Sequence, residues 1–145
     1  MTHERKPFFG SDEEVLNVVG KFESCEFAPT QFKHREHLTV ALCYLLRLSD
    51  EEALGRMRQS LSRFVEAHGI NPGLYHETLT LFWLKRVRAF IESEGERRTL
   101  AELANALVEA CGDSRLVYEY YSKALVDSDD AKKGWAGPDL KPLDF

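Results

Sequence analysis

Cysteine is scarce in this chain. Three of the 145 residues are cysteine, the number is odd, the spacings are wide and no C-x-x-C pair occurs. This usage argues against a disulfide framework and against a four-cysteine zinc site. Cys43 lies within an apolar helical segment and Cys111 near the end of another, as is typical of small buried side chains. Free thiols are typical of a reducing compartment, so we expect a cytoplasmic protein.

Long apolar runs are also missing. The longest, Leu38–Leu46, is too short to cross a bilayer and is followed by Arg47. Residues 1–10 are polar and charged, without the apolar segment of a secretory signal. We therefore expect a soluble protein with no membrane partner, in which residues 1–10 form a flexible N-terminus.

An excess of positive charge is absent as well. The chain has 19 basic and 24 acidic residues, a formal charge of −5, which makes nucleic acid an unfavourable partner. The local basic cluster is best explained as a solvated helix face; it consists of Lys85, Arg86, Arg88, Arg97 and Arg98.

The common catalytic motifs are not found. There is no glycine-rich phosphate loop, no G-x-S-x-G, no H-E-x-x-H and no H-x-x-E-H. The sequence therefore specifies no reaction, and any function has to be inferred from less specific clusters of polar residues.

What the sequence does contain is helical periodicity. Apolar residues make up 43% of the chain, which is ordinary for a globular protein, and the length fits one domain. Ser11, Ser49 and Thr99 each stand three residues before a glutamate, the pattern of a capping box. No strand pattern appears. The expected fold is a single all-α domain over residues 1–145, a bundle of about six helices. The first helix is expected from Ser11 to about Phe22 and the fourth over Leu74–Ser93. The other four are expected to begin after Thr30, Ser49, Thr99 and Asp113.

The last twelve residues predict an extended arm. Gly134, Gly137, Pro138 and Pro142 prevent a helix here, and four large apolar side chains would be unfavourable in water. We expect residues 134–145 to pack on the body of the domain as an ordered C-terminal arm.

Three histidines are the best candidates for a site. His34 and His37 are three residues apart at the start of the most apolar helix, so their rings share one face. His76 begins a stripe that continues through Thr80 and Trp83 on the second most apolar helix. Three inward imidazoles from two helices can hold a divalent metal such as zinc.

Glu77 and five aromatic or hydroxyl-bearing side chains are expected to complete the site around these histidines. Glu77 is expected to be a fourth ligand or a general base acting on metal-bound water. Its alternative is a first-turn carboxylate that the helix dipole favours. The side chains expected to line the pocket, or to cover its mouth, are Thr80, Trp83, Tyr120, Tyr121 and Trp135.

Two functions remain open at this level. One is a metal-dependent small-molecule enzyme of hydrolase type, with His34, His37 and His76 as ligands. The other is a non-catalytic ligand-binding or protein-interaction module whose histidines are structural or sense pH. The ligand and the oligomeric state, with a homodimer among the options, are not determined by the sequence.

Several motifs, taken together, resemble a family of small bacterial all-helical proteins without an assigned activity. They are F-x-H-x-x-H-L at Phe32–Leu38, Y-H-E-T at Tyr75–Thr78, Y-Y-S at Tyr120–Ser122 and P-D-L at Pro138–Leu140. The resemblance implies that the histidine clusters and the arm belong to one design, but it implies no mechanism.

Overall fold

The structure is a computed structural model that describes residues 8–94 and 98–145. Five helices of 12 to 18 residues make up most of it: α1 (Asp12–Glu23), α2 (His34–Arg47), α3 (Asp50–Ala67), α4 (Glu77–Ser93) and α5 (Leu100–Cys111). Two short helices follow, α6 (Lys123–Val126) and α7 (Asp129–Lys133), and 3-10 helices cover Pro72–Leu74 and Ser114–Glu119. These ranges contain no β-strand, so the predicted all-α class is confirmed. Among the described helices, none combines the length and apolarity needed to cross a membrane.

Helix α2 is the centre of the bundle. It contacts α1, α3, α4 and α5, and every residue from Leu38 to Leu45 is buried. A helix that is apolar all round has to be surrounded by other helices, because any exposed face would leave apolar area in water. The predicted central position of this helix is therefore confirmed.

Side-chain caps fix most of the helix starts. Ser49 and Thr99 form the predicted capping boxes with Glu52 and Glu102. Ser11 caps α1 as predicted, but Glu14 accepts from the amide of Gly10 rather than from that of Ser11.

Two helices begin later than predicted. Thr30 is not a cap: residues Ala28–Gln31 form a turn, and α2 begins at His34 after the extended Lys33. Helix α4 begins at Glu77 instead of Leu74, because the imidazole of His76 accepts the amide hydrogen of Leu79 as an N-cap. Histidine is not among the usual N-cap residues, so the pattern gave no sign of this boundary.

The predicted helix after Asp113 is interrupted. A 3-10 helix ends at Glu119, and Ser122 then caps the short α6. The backbone amide and hydroxyl of Ser122 both donate to the carboxylate of Asp139 on the arm, at 2.7 and 2.6 Å. A contact made across 17 residues therefore divides what the local periodicity predicts as one helix.

A second, smaller core lies beneath the arm. Phe82, Tyr120 and Tyr121 are buried in it, and Leu143 and Phe145 of the arm pack against it. The hydroxyl of fully buried Thr78 donates to the carbonyl of Gly134 at 2.8 Å and accepts from the amide of Ala136 at 3.0 Å. These contacts hold the arm against α4.

The beginning of the described chain is also attached to the body. Phe9 is buried, and its amide and carbonyl bind the side chain of Asn105 at 2.8 and 2.9 Å. The flexible N-terminus expected for residues 1–10 therefore does not extend to Phe9, and residues 1–7 lie outside the described ranges.

Candidate functional site

A cavity of about 470 Å³ opens between α2, α3 and α4. Its walls are mostly aliphatic and aromatic, and within the described part of the chain none of the lining side chains is a carboxylate, a lysine or an arginine. The lining consists of His34, His37, Leu38, Ala41, Met57, Leu61, Val65, Leu74, Tyr75, His76, Leu79, Thr80, Trp83, Leu84, Ser114, Val117 and Tyr118. Leu74 and Tyr118 are exposed, which places them where the cavity meets solvent.

His34 lies at the first position of α2 with its ring held on two sides. Its Nε2 donates to the carbonyl of Cys111 at 2.9 Å, and the edge of its ring meets Trp83 with 4.3 Å between centroids. Burial lowers the pKa of His34, although the Cys111 carbonyl and the carboxylates of Asp113 and Glu36 raise it by smaller amounts. In the neutral ring the proton is therefore on Nε2, and Nδ1 carries a lone pair.

His37 lies one turn further along the same face. Its ring packs on Phe32 with 4.1 Å between centroids and lines the cavity beside His34. Burial, with a smaller contribution from His34, lowers the pKa of His37 to about 4, so the ring is neutral at pH 7. Its ring nitrogens have no hydrogen-bond partner among residues 8–94 and 98–145.

His76 also faces the cavity, but both of its ring nitrogens are already bound. Nδ1 accepts from the amide of Leu79 at 3.1 Å, and Nε2 donates to the carbonyl of Val126 at 2.6 Å. The imidazole therefore ties α4 to α6. As a metal ligand it would have to give up one of these bonds.

The geometry does not bring the three predicted histidine ligands together as a metal centre. Among the residues that the structure describes, no group of three or more histidine, cysteine, aspartate or glutamate side chains is placed to hold a metal ion. The physical reason is the cap of α4: both ring nitrogens of His76 bind backbone groups, so of the three predicted ligands two keep a nitrogen without a partner among the described residues.

Glu77 has a structural partner instead of a catalytic one. Arg58 clamps its carboxylate with two nitrogens, Nε lying 3.0 Å from Oε1, and the hydroxyl of Tyr75 donates to Oε1 at 2.6 Å. The hydrogen bonds from Arg58 hold the pKa of Glu77 below its usual range. A carboxylate with both oxygens bound and a lowered pKa is a poor base, so the predicted catalytic role does not fit this position.

Glu77 also faces a different opening. It lines a second cleft of about 850 Å³ that shares Leu61, Val65 and Tyr75 with the cavity. Charges of both signs line this cleft, from Arg58, Glu66, Glu77, Asp129, Lys132 and Lys133.

The predicted pocket residues separate into two groups. Thr80 and Trp83 line the cavity. Tyr120 and Tyr121 lie outside its lining and bind the arm, with hydroxyls that donate to Asp144 at 2.5 Å and to the carbonyl of Ala136 at 2.6 Å. Trp135 does not cover the cavity; it lies near Tyr121 with Lys85 over its ring.

One wall of the cavity was not predicted. Met57, Leu61 and Val65 contribute it from α3, and their helical spacing predicts a core-facing stripe without distinguishing core from cavity. Tyr118 is also a lining residue, and no pattern in the sequence marks it.

The basic cluster is partly neutralised by neighbours. Arg88 pairs with Asp50 and Arg98 with Glu94, while Lys85 and Arg86 lie over the aromatic rings of the arm. Arg97 lies outside the described residues. These partners are typical of a helix surface and not of a phosphate-binding face.

Comparison of the chain with models of known protein families, with curated proteins and with solved structures finds no match. The resemblance of its motifs to a family of small bacterial proteins therefore stays a prediction, and what the cavity does has to be argued from the residues that line it.

Proposed function

We propose that this protein is a non-catalytic binding protein for a small, uncharged and largely apolar molecule, which occupies the cavity between α2, α3 and α4. The observation that supports this most is the lining itself. Of residues 8–94 and 98–145, seventeen line about 470 Å³, and none of these is a carboxylate, a lysine or an arginine. Pockets for small molecules have volumes of about 300–1,000 Å³ and are mostly apolar with a few placed polar groups.

The burial of the lining supports a role in binding. Well-packed domains leave few voids, since a cavity forfeits contacts between the atoms on its two sides. Leu38, Ala41 and Met57 form a buried floor, each at most 3% exposed, and the half-buried Leu61, Val65 and Leu79 present apolar surface to the cavity. An apolar molecule would regain contacts with these side chains, which water does not provide.

The alternative of a metal-dependent hydrolase is less well supported. It requires His76 as a ligand and Glu77 as ligand or base, and both side chains have other partners. Elemental analysis of protein purified without chelator or metal-affinity tag tests this alternative directly. A stoichiometric metal that is lost in His76→Ala and in His37→Ala would favour the hydrolase over the binding protein.

Binding can be tested with an apolar probe and a variant that fills the cavity. We expect naphthalene to raise the melting temperature of the protein by an amount that grows with the logarithm of its concentration above the Kd. Ala41 lies one turn after His37, and a side chain on a helix points back towards the preceding turn. Ala41→Phe should therefore occupy the space beside His37 and lower the affinity for naphthalene at least tenfold.

The control places the same side chain elsewhere. Ala110 is exposed on α5 and borders neither cavity, so Ala110→Phe should leave the affinity unchanged. If Ala41→Phe does not fold, Leu61→Trp fills the same space from α3. The proposal fails if naphthalene and its 2-hydroxy and 2-methoxy derivatives all leave the wild-type melting temperature and calorimetric heat unchanged.

A further inference from the structure

We propose that the ligand of this cavity is a neutral alcohol or phenol on an apolar body, and that His34 and His37 together bind its hydroxyl group. This inference rests on the proposed binding function and names the chemical class of the molecule. It follows from the polar groups of the lining that have no hydrogen-bond partner among the described residues, and from the hydrogen bonds that these groups can donate or accept.

Most polar groups inside the cavity are already engaged. The hydroxyl of Thr80 donates to the carbonyl of His76 at 2.8 Å, and that of Tyr75 donates to Glu77 at 2.6 Å. Both nitrogens of His76 are bound to backbone groups. Ser114 and Tyr118 are exposed, so water is available to them.

The rings of His34 and His37 are the exceptions. Nε2 of His34 is bound to a carbonyl, but no partner of its Nδ1 is found among the described residues. The His37 ring has no partner in the same ranges for either nitrogen. Since no buried side-chain nitrogen or oxygen of the described residues lacks a partner, these unbonded nitrogens are accessible at the cavity surface, where a ligand can replace water as their hydrogen-bond partner.

The two rings present a specific set of donors and acceptors. Because Nε2–H of His34 is committed, the ring offers only the lone pair of Nδ1 to a ligand. A neutral His37 offers one N–H and one lone pair. Together they provide two acceptors and one donor on one helix face. A hydroxyl is complementary to this set, since it donates its hydrogen to one ring and accepts from the N–H of His37.

Charged alternatives do not match this set. A carboxylate has no hydrogen to donate, and no lysine or arginine among the described residues lines the cavity to balance its charge. An ammonium has no lone pair to accept with, and no carboxylate of the described chain lines the cavity. Burying either charge without a partner is strongly unfavourable.

The rings are also held in place before a ligand arrives. His34 is fixed between the carbonyl of Cys111 and the ring of Trp83, and His37 lies on Phe32. Pre-oriented groups lose little conformational freedom on binding, so a correctly placed hydroxyl can gain the full hydrogen bond.

Four matched probes test the inference: 2-naphthol, 2-methoxynaphthalene, naphthalene and 2-naphthoate. They share one apolar body and differ in the group that reaches the histidines. Isothermal titration calorimetry of the full chain at pH 7 should show 2-naphthol binding at least tenfold more tightly than 2-methoxynaphthalene, which cannot donate. 2-Naphthoate should bind more weakly than naphthalene.

A variant then assigns the preference to His37. His37→Phe keeps an aromatic ring to pack on Phe32 but removes the N–H from which the hydroxyl accepts, so the affinity ratio of 2-naphthol to naphthalene should fall about fivefold. His68→Phe is the control: His68 also packs on a phenylalanine and binds a backbone carbonyl, but it borders neither cavity. Its ratio should stay as in the wild type.

The outcomes separate the two proposals. Equal affinities of the wild type for 2-naphthol and 2-methoxynaphthalene would overturn the hydroxyl inference and leave the binding function in place. Tightest binding of 2-naphthoate would overturn the uncharged class of ligand. No binding of any of the four probes would overturn the binding function itself. Because the first comparison uses the wild type alone, it does not depend on whether His37→Phe folds.

Discussion

Replacing Thr78 with valine tests how strongly the C-terminal arm is attached to the body. Thr78 is fully buried on α4, and its hydroxyl makes two hydrogen bonds to the arm, one to the carbonyl of Gly134 and one from the amide of Ala136. Valine has nearly the same shape but makes neither bond. Thr78→Val therefore leaves a donor and an acceptor without partners and changes the packing little.

The expected loss follows from the two bonds. Each contributes about 1 kcal/mol net, and an unpaired buried group raises the cost, so we expect the free energy of unfolding to fall by about 2 kcal/mol. For a domain of this size that corresponds to a melting temperature lower by about 6 °C. Urea denaturation followed by circular dichroism measures the first quantity, and hydrogen exchange of the Ala136 amide reports the local release of the arm.

Thr39 provides a matched control. It is also a fully buried helical threonine, but its hydroxyl donates to the carbonyl of Arg35 within its own helix, at 2.8 Å. That carbonyl is also bound by the helix backbone, so Thr39→Val should cost less than about 1 kcal/mol. Equal losses for the two variants would refute the claim that Thr78 fastens the arm.

Three further substitutions test single side-chain contacts and ionisations. Glu77→Gln should lower the free energy of unfolding by about 1 kcal/mol at pH 7 through loss of the Arg58 ion pair. Because the folded pKa of Glu77 is lowered, this difference should vanish in urea titrations as the pH falls through that pKa. Burial lowers the pKa of His37 from about 6.5 in the unfolded chain to about 4 in the folded protein. As the pH falls from about 6.5 to about 4, the unfolded chain binds this proton first, so the free energy of unfolding should decrease. In His37→Phe this decrease should be smaller. Tyr44→Phe removes bonds to Ser60 and Glu23 and should cost about 1–2 kcal/mol by the same measurement.

The helices that sequence predicts well are those whose signals are local. The capping boxes at Ser49 and Thr99 involve residues three apart, and the all-round apolar pattern of α2 directly reflects its central position. The start of α4 and the break after Glu119 depend on a histidine cap and on a contact with Asp139. Neither can be derived from periodicity.

The candidate site shows the same limit. His34, His37, Thr80 and Trp83 meet at the cavity, because helical spacing correctly indicates which side chains of a helix point inward. Helical spacing does not reveal that Glu77 pairs with Arg58.

Arg58 is 19 residues away from Glu77 on another helix, and its position depends on how α3 packs on α4. The hydroxyls of Tyr120 and Tyr121 likewise bind the arm, which has no periodic pattern to reveal its path.

The division of the core into two clusters has a consequence for partial unfolding. The larger cluster includes buried residues from α1 to α5, and the smaller one joins Phe82 to the segment after Asp113 and to the arm. Trp83 packs against both clusters and also lines the cavity. We therefore expect the smaller cluster to open as a cooperative unit of its own while α1, α2, α3 and α5 stay packed. Such an opening would remove the contacts on one side of Trp83 and so deform the cavity wall. If the proposed ligand binds there, we expect its dissociation rate to depend on the stability of the arm.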